Sequence, residues 1–139
     1  RAMYSGQKEI LILEDDATPC SGFIERFNKA YADLPEDYQF CYLGGSNMTA
    51  PEPVTENIGK PTQTKSTVAY LIKTSMAESV IALLKKFMLQ NVIDELYAGL
   101  QIHYPQYFFI TTPRLIHQYE DYSDILGANV DYHWQKDLD

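Results

Sequence analysis

A chain of 139 residues with 11 basic and 19 acidic side chains, a formal charge of −8, is poorly built to grip a phosphate backbone. Nothing more basic than the pair Lys85-Lys86 occurs, so nucleic acid is excluded as the expected partner. Apolar content of 45% excludes a disordered chain and fits one domain over residues 1–139, and no run is long enough to span a membrane.

The apolar run Ile10-Leu11-Ile12-Leu13 predicts a buried strand of a parallel sheet. It leads directly into Glu14-Asp15-Asp16. Ligands of open α/β sheets bind beyond the carboxyl ends of strands, which is where this acidic triplet would stand. Ser21 reads as an N-cap, followed by a helix with Phe23, Ile24, Phe27, Tyr31 and Leu34 on its apolar face and Pro35 as its stop. Tyr38 to Leu43 predicts a second strand, broken by Gly44-Gly45-Ser46-Asn47. Residues 46–65 are rich in Ser, Thr, Asn, Pro and Gly and read as a long loop, with the stretch from Gly44 to Thr64 as a lid or a plain surface loop.

Thr67 to Ile72 resumes as a strand, with Tyr70 in the core. Ser75 opens a helix with Val80, Ile81, Leu83, Leu84 and Phe87 on its apolar side, and a shorter helix runs from Val92 to Gln101. Tyr107 to Ile110 predicts another strand; Leu115-Ile116 then leads to His117-Gln118, and from Tyr119 onward the chain reads as a loop or docking tail. Cys20 and Cys41 form neither a CxxC pair nor a disulfide framework and read as small buried residues. Strands alternating with helices predict an α/β domain.

On extended backbone Glu14 and Asp16 would point one way and Asp15 the other. Such carboxylates suit a hard divalent cation, Mn(II) or Mg(II), which keeps coordination positions for substrate phosphates and would neutralise a diphosphate leaving group. The same acids equally suit a plain turn or helix cap. The pattern Glu14-x-Asp16-x-Thr18 also meets the D-x-D-x-T of haloacid-dehalogenase phosphatases, though with Glu at the nucleophile position and without that family's later acidic motif.

From Glu9 to Ala17 the chain resembles glycosyltransferase family 25, the group of lipooligosaccharide and collagen galactosyltransferases, whose apolar strand ends in E-D-D. The similarity continues in order through Tyr42-Leu43-Gly44, Thr67-Val68-Ala69-Tyr70-Leu71-Ile72 with Met76-Ala77, Val92-Ile93-Asp94-Glu95, Pro113-Arg114-Leu115-Ile116-His117-Gln118 and Ser123-Asp124-Ile125. One departure is Val92-Ile93, where the family has Pro-Val. The resemblance implies a GT-A-like nucleotide-sugar transferase sheet with flanking helices, with part of the N-terminal nucleotide-binding half expected upstream of Arg1. It implies metal-dependent transfer of a hexose, galactose favoured, from a UDP-sugar to a glycan, lipooligosaccharide or glycoprotein acceptor. Lipopolysaccharide biosynthesis in the bacterial cytoplasm is the expected setting, with the secretory lumen as the alternative.

The residues this reading singles out are Glu14 and Asp16 as metal contacts and Asp15 as a third contact or a ribose or sugar partner. His117 is a metal ligand or a structural histidine, and Gln118 a diphosphate or sugar contact. Asp94 is the acid facing the acceptor, able to take a hydroxyl proton, or else a helix N-terminal acid favoured by the dipole. His103 and His133 have no supporting context. The competing class is a non-catalytic module that associates with a partner or with itself through an exposed apolar sheet edge.

Overall fold

The computed structural model describes residues 6–87 and 93–118, with Phe87 by its backbone alone, and the backbone of 121–123 and 128–130. Met88 to Val92, Asp124-Ile125 and His133 lie outside the described residues. The fold is mixed α/β. A six-stranded sheet runs in the order β1 (Glu9–Leu13), β6 (Lys65–Lys73), β3 (Phe40–Ser46), β7 (Phe108–Thr111), β5 (Ile58–Lys60) and β4 (Glu52–Pro53). Helices α1 (Phe23–Asp33), α2 (Thr74–Phe87) and α3 (Ile93–His103) flank it. Two small antiparallel pairs complete it: β2 (Ala17–Pro19) with β8 (Ile116–Gln118), and β9 (Asp121–Ser123) with β10 (Ala128–Val130).

The period-2 alternation of the strands builds two cores. On one face Cys41, Leu43, Ala69, Leu71 and Phe109 pack against Phe23, Phe27, Ala30 and Leu34 of α1. On the other, Phe40, Tyr42, Tyr70, Ile72, Phe108 and Ile110 meet Met76, Ala77, Val80 and Leu84 of α2 and Ile93, Leu96, Tyr97 and Leu100 of α3. Phe40 is the hub of this second core, with the rings of Tyr42, Tyr70, Tyr97 and Phe108 all within 5.2 Å of its centroid. Tyr70 is therefore core, as expected from its strand.

Several expectations are corrected. The run at 10–13 is not a buried strand of a parallel sheet: β1 pairs antiparallel with β6 at the sheet edge, leaving Leu11 43% and Leu13 53% exposed. Within the six-stranded sheet only β3 and β7 pair in parallel. Gly22, in a left-handed conformation, holds the N-cap of α1 in place of Ser21. The α1 stripe uses Ala30, while Ile24 and Tyr31 are exposed. Its end is as expected, because Leu34 precedes Pro35 and is pushed to extended backbone.

Gly44 and Gly45 do not break the second strand; β3 runs through both, with its register shifting beside Gly44. A Cβ on Gly44 would stand 2.2 Å from the Ile116 carbonyl oxygen and 2.7 Å from Val68 Cγ1, so the glycine is required by close packing. The 46–65 stretch is not a structureless loop, since β5 enters the sheet beside β7 and buries Ile58. On α2, Ile81 is exposed although expected on the apolar face. Tyr107 belongs to a 3-10 turn ahead of β7, and the described part of the tail is the pair β9–β10. Both cysteines are free; Cys41 is buried, where desolvation pushes its thiol up, and Cys20 is half-buried.

The pairings set a common polarity. β1 and β3 both run antiparallel to β6, and β7 runs parallel to β3. The carboxyl ends of β1, β3 and β7 thus share one edge of the sheet with the amino end of β6.

Candidate functional site

At that edge the chain leaves β1 at Leu13 and turns at once. Glu14 donates its backbone N–H to the Val68 carbonyl (2.9 Å), and Ala17 closes the turn onto the Glu14 carbonyl (3.2 Å). The pleat therefore ends before the triplet, and it is this turn, not strand alternation, that gathers the acids. Thr67 Oγ1 donates to Glu14 Oε1 at 2.7 Å.

β2 then pairs with β8 so that Ala17 faces Gln118, Thr18 faces His117 and Pro19 faces Ile116. β8 is held against the end of β3: Leu115 donates its N–H to the Leu43 carbonyl (2.8 Å), and Cys20 donates to the Leu115 carbonyl (2.9 Å). The buried Arg114 guanidinium donates to the Gly45 carbonyl at 3.1 Å, joining the same corner. Gln118 Nε2 donates to Asp16 Oδ2 at 3.2 Å.

Ser66 links the remaining parts. Its hydroxyl donates to Gln118 Oε1 (3.2 Å) and its backbone N–H to Asp94 Oδ2 (3.4 Å). Asp94 also accepts from the Glu95 N–H at 2.8 Å, so it serves its own helix start as well as the site. Glu95 faces away and pairs with Lys65 at 2.7 Å.

Glu14, Asp16, Asp94 and Gln118 are thus brought together around Ser66-Thr67. Desolvation raises the Glu14 carboxyl above its ordinary value; the Thr67 hydrogen bond opposes this, and the charges of Asp16, Asp15 and Asp94 add to the rise. Asp15, like Glu14, is exposed, whereas Asp16 is half-buried. His117 is half-buried on β8, next to Gln118 in sequence and so projecting toward the other side of that strand. Among the described residues no three His, Cys, Asp or Glu side chains stand close enough together to hold a metal ion, so neither His117 nor Asp94 completes a three-ligand set with Glu14 and Asp16. His103 is exposed at the end of α3, apart from this corner.

Asp16 Oδ1 is buried and has no hydrogen-bond partner among the described residues. An orphaned carboxylate oxygen is costly unless something positive meets it. Acids crowd this corner, and their mutual repulsion is what a cation would relieve. Mg(II) and Mn(II) sites commonly use one or two carboxylates and complete their shell with substrate oxygens and water, so a set short of three protein ligands still fits. Sequence reasoning missed Ser66 and Thr67, and only their position at the head of a strand facing the acids could have pointed to them.

Compared with known proteins, the chain matches no family model and no curated sequence. Among the described residues no helix is long and apolar enough to cross a membrane.

Proposed function

We propose that this chain carries the cation end of the donor site of a GT-A-type glycosyltransferase that moves a hexose, galactose favoured, from a UDP-sugar to a glycan, lipooligosaccharide or glycoprotein acceptor. The observation that carries the reading is the acidic corner beyond the carboxyl end of β1, where Asp16 keeps a buried oxygen without a hydrogen-bond partner among the described residues. The ordered resemblance to glycosyltransferase family 25 supplies the substrate class. Asp16 and Glu14 would hold Mn(II) or Mg(II), with substrate oxygens and water completing the shell. When bound, the cation would offset charge on a diphosphate leaving group. Gln118 orients Asp16, Thr67 orients Glu14, and Asp94 is the acid available to take a proton from an acceptor hydroxyl.

The test is calorimetric titration of Mn(II) and UDP-galactose into the protein and into Asp16→Ala. Metal-dependent nucleotide-sugar binding that the variant loses supports the reading. Absence of binding to the unaltered protein would overturn donor binding by this chain.

One observation favours a second reading, a non-catalytic module that associates through its sheet edge. Among the described residues β1 has no strand on its outer side and exposes Leu11 and Leu13. Sedimentation showing a homo-oligomer that Leu11→Lys dissociates would support it.

A further inference from the structure

Among the described residues, two that are not glycine hold positive φ: Gln63 at 53° and Ser66 at 68°. Both precede or begin β6, and Ser66 touches the acidic corner itself. An L side chain in this region is strained, and glycine would hold the same backbone freely. Serine supplies one thing glycine cannot, a hydroxyl.

That hydroxyl donates to Gln118 Oε1. With its carbonyl oxygen held there, the Gln118 amide presents Nε2 to Asp16 Oδ2. The reversed amide would set a carbonyl oxygen against a carboxylate, an arrangement of like partial charges. Once Oδ2 is committed to Gln118, the buried Oδ1 is the Asp16 oxygen left to meet a cation.

We propose that Ser66 is a positioning residue that acts through Gln118 to hold Asp16 by Oδ2, which leaves Oδ1 as the oxygen that would meet a cation. This rests on the donor-site reading above and adds to it the residue that orders the ligand. The left-handed backbone at Ser66 is a local cost retained because it brings hydroxyl and N–H to Gln118 and Asp94 together.

The experiment compares the unaltered protein, Ser66→Gly, Ser66→Asn, Gln118→Ala and the double variant Ser66→Gly/Gln118→Ala. Each is measured for Mn(II) affinity by calorimetry in the presence of UDP, and for thermal unfolding without metal. Ser66→Gly is expected to melt at or above the unaltered protein, yet to bind Mn(II) about tenfold more weakly, as outer-shell changes do. Asparagine tolerates left-handed backbone and carries an amide donor, so Ser66→Asn should recover part of the affinity. Ser66→Gly should cost nothing further in the Gln118→Ala background, because its effect passes through that amide. Unchanged Mn(II) affinity in Ser66→Gly, or an equal loss with and without Gln118, would overturn the proposal while leaving the donor-site reading standing. Failure of the unaltered protein to bind Mn(II) would overturn both.

Discussion

Gln118 donates to Asp16 across 102 positions of chain. The antiparallel pairing of β2 with β8 sets Gln118 opposite Ala17, and its amide reaches back to the residue before it. The acidic turn is thereby tied to a strand formed far downstream.

Hydrogen bonds to charged groups contribute about 1.5–3 kcal/mol, so Gln118→Leu should lower urea stability at neutral pH by an amount of that order. In a double-mutant cycle with Asp16→Ala the coupling should exceed about 0.5 kcal/mol. A coupling near zero would show that the two side chains do not meet in solution.

Glu14 gives a pH signature. Its carboxyl is raised in the folded protein, chiefly by desolvation and further by its acidic neighbours. The folded state therefore holds this proton more tightly than the unfolded chain does. Its stabilising contribution is complete below the ordinary glutamate value and is lost as pH rises through the raised one. Glu14→Gln should accordingly raise the melting temperature at pH 7 relative to the unaltered protein, with the gain shrinking toward pH 4. A gain that grew on acidification would contradict the direction of the shift.

Gly44→Ala places a methyl group 2.2 Å from the Ile116 carbonyl oxygen, a backbone atom that cannot swing aside. Overpacking of this kind costs about 1–3 kcal/mol or more, and here it would also push β8 off the end of β3. Urea unfolding should show the loss, and amide exchange at Leu115, which donates to Leu43, should quicken with it. Gly99→Ala, where the added Cβ meets nothing within 4 Å, is the control and should be neutral or stabilising.

Gln101 is buried on α3 and bonds three ways: to the Tyr42 hydroxyl (2.8 Å), to the Thr64 carbonyl (3.0 Å) and from the Thr64 N–H (2.9 Å). Gln101→Met keeps the volume and strands those partners, so a loss of at least about 2 kcal/mol is expected. Hydrogen exchange at the Thr64 amide, just before β6, should rise by more than at Ile72, near the far end of that strand. Equal changes at both would mean that the network does not lock the start of β6.

Local sequence carried much of the sheet. Apolar runs such as Phe40 to Leu43 and Thr67 to Ile72 could be read as strands because burial on both faces leaves no polar alternation. The same logic misread β1. Four aliphatic residues look alike at the centre and at the edge of a sheet, and which one applies depends on neighbours far away in sequence. β5 was hidden for a similar reason: Ile58-Gly59-Lys60 has little strand character alone and is ordered by pairing with β7. At the site, Glu14, Asp16, Asp94 and Gln118 were visible as residue types at suggestive positions. Ser66 was not, because a left-handed backbone leaves no mark on a serine's neighbours in the chain.

The clasp of β2 onto β8 also has a consequence during synthesis. The acidic turn at 14–16 is synthesised before its partner amide, which lies more than a hundred residues behind it. Closing so long a loop costs entropy that only later contacts repay. A nascent chain stopped short of Ile116 would carry its acids without Gln118 and with the end of β3 uncovered beside Gly44. If this corner holds a cation as proposed, that affinity would be gained only after Gln118 has been synthesised and β8 has closed onto β2.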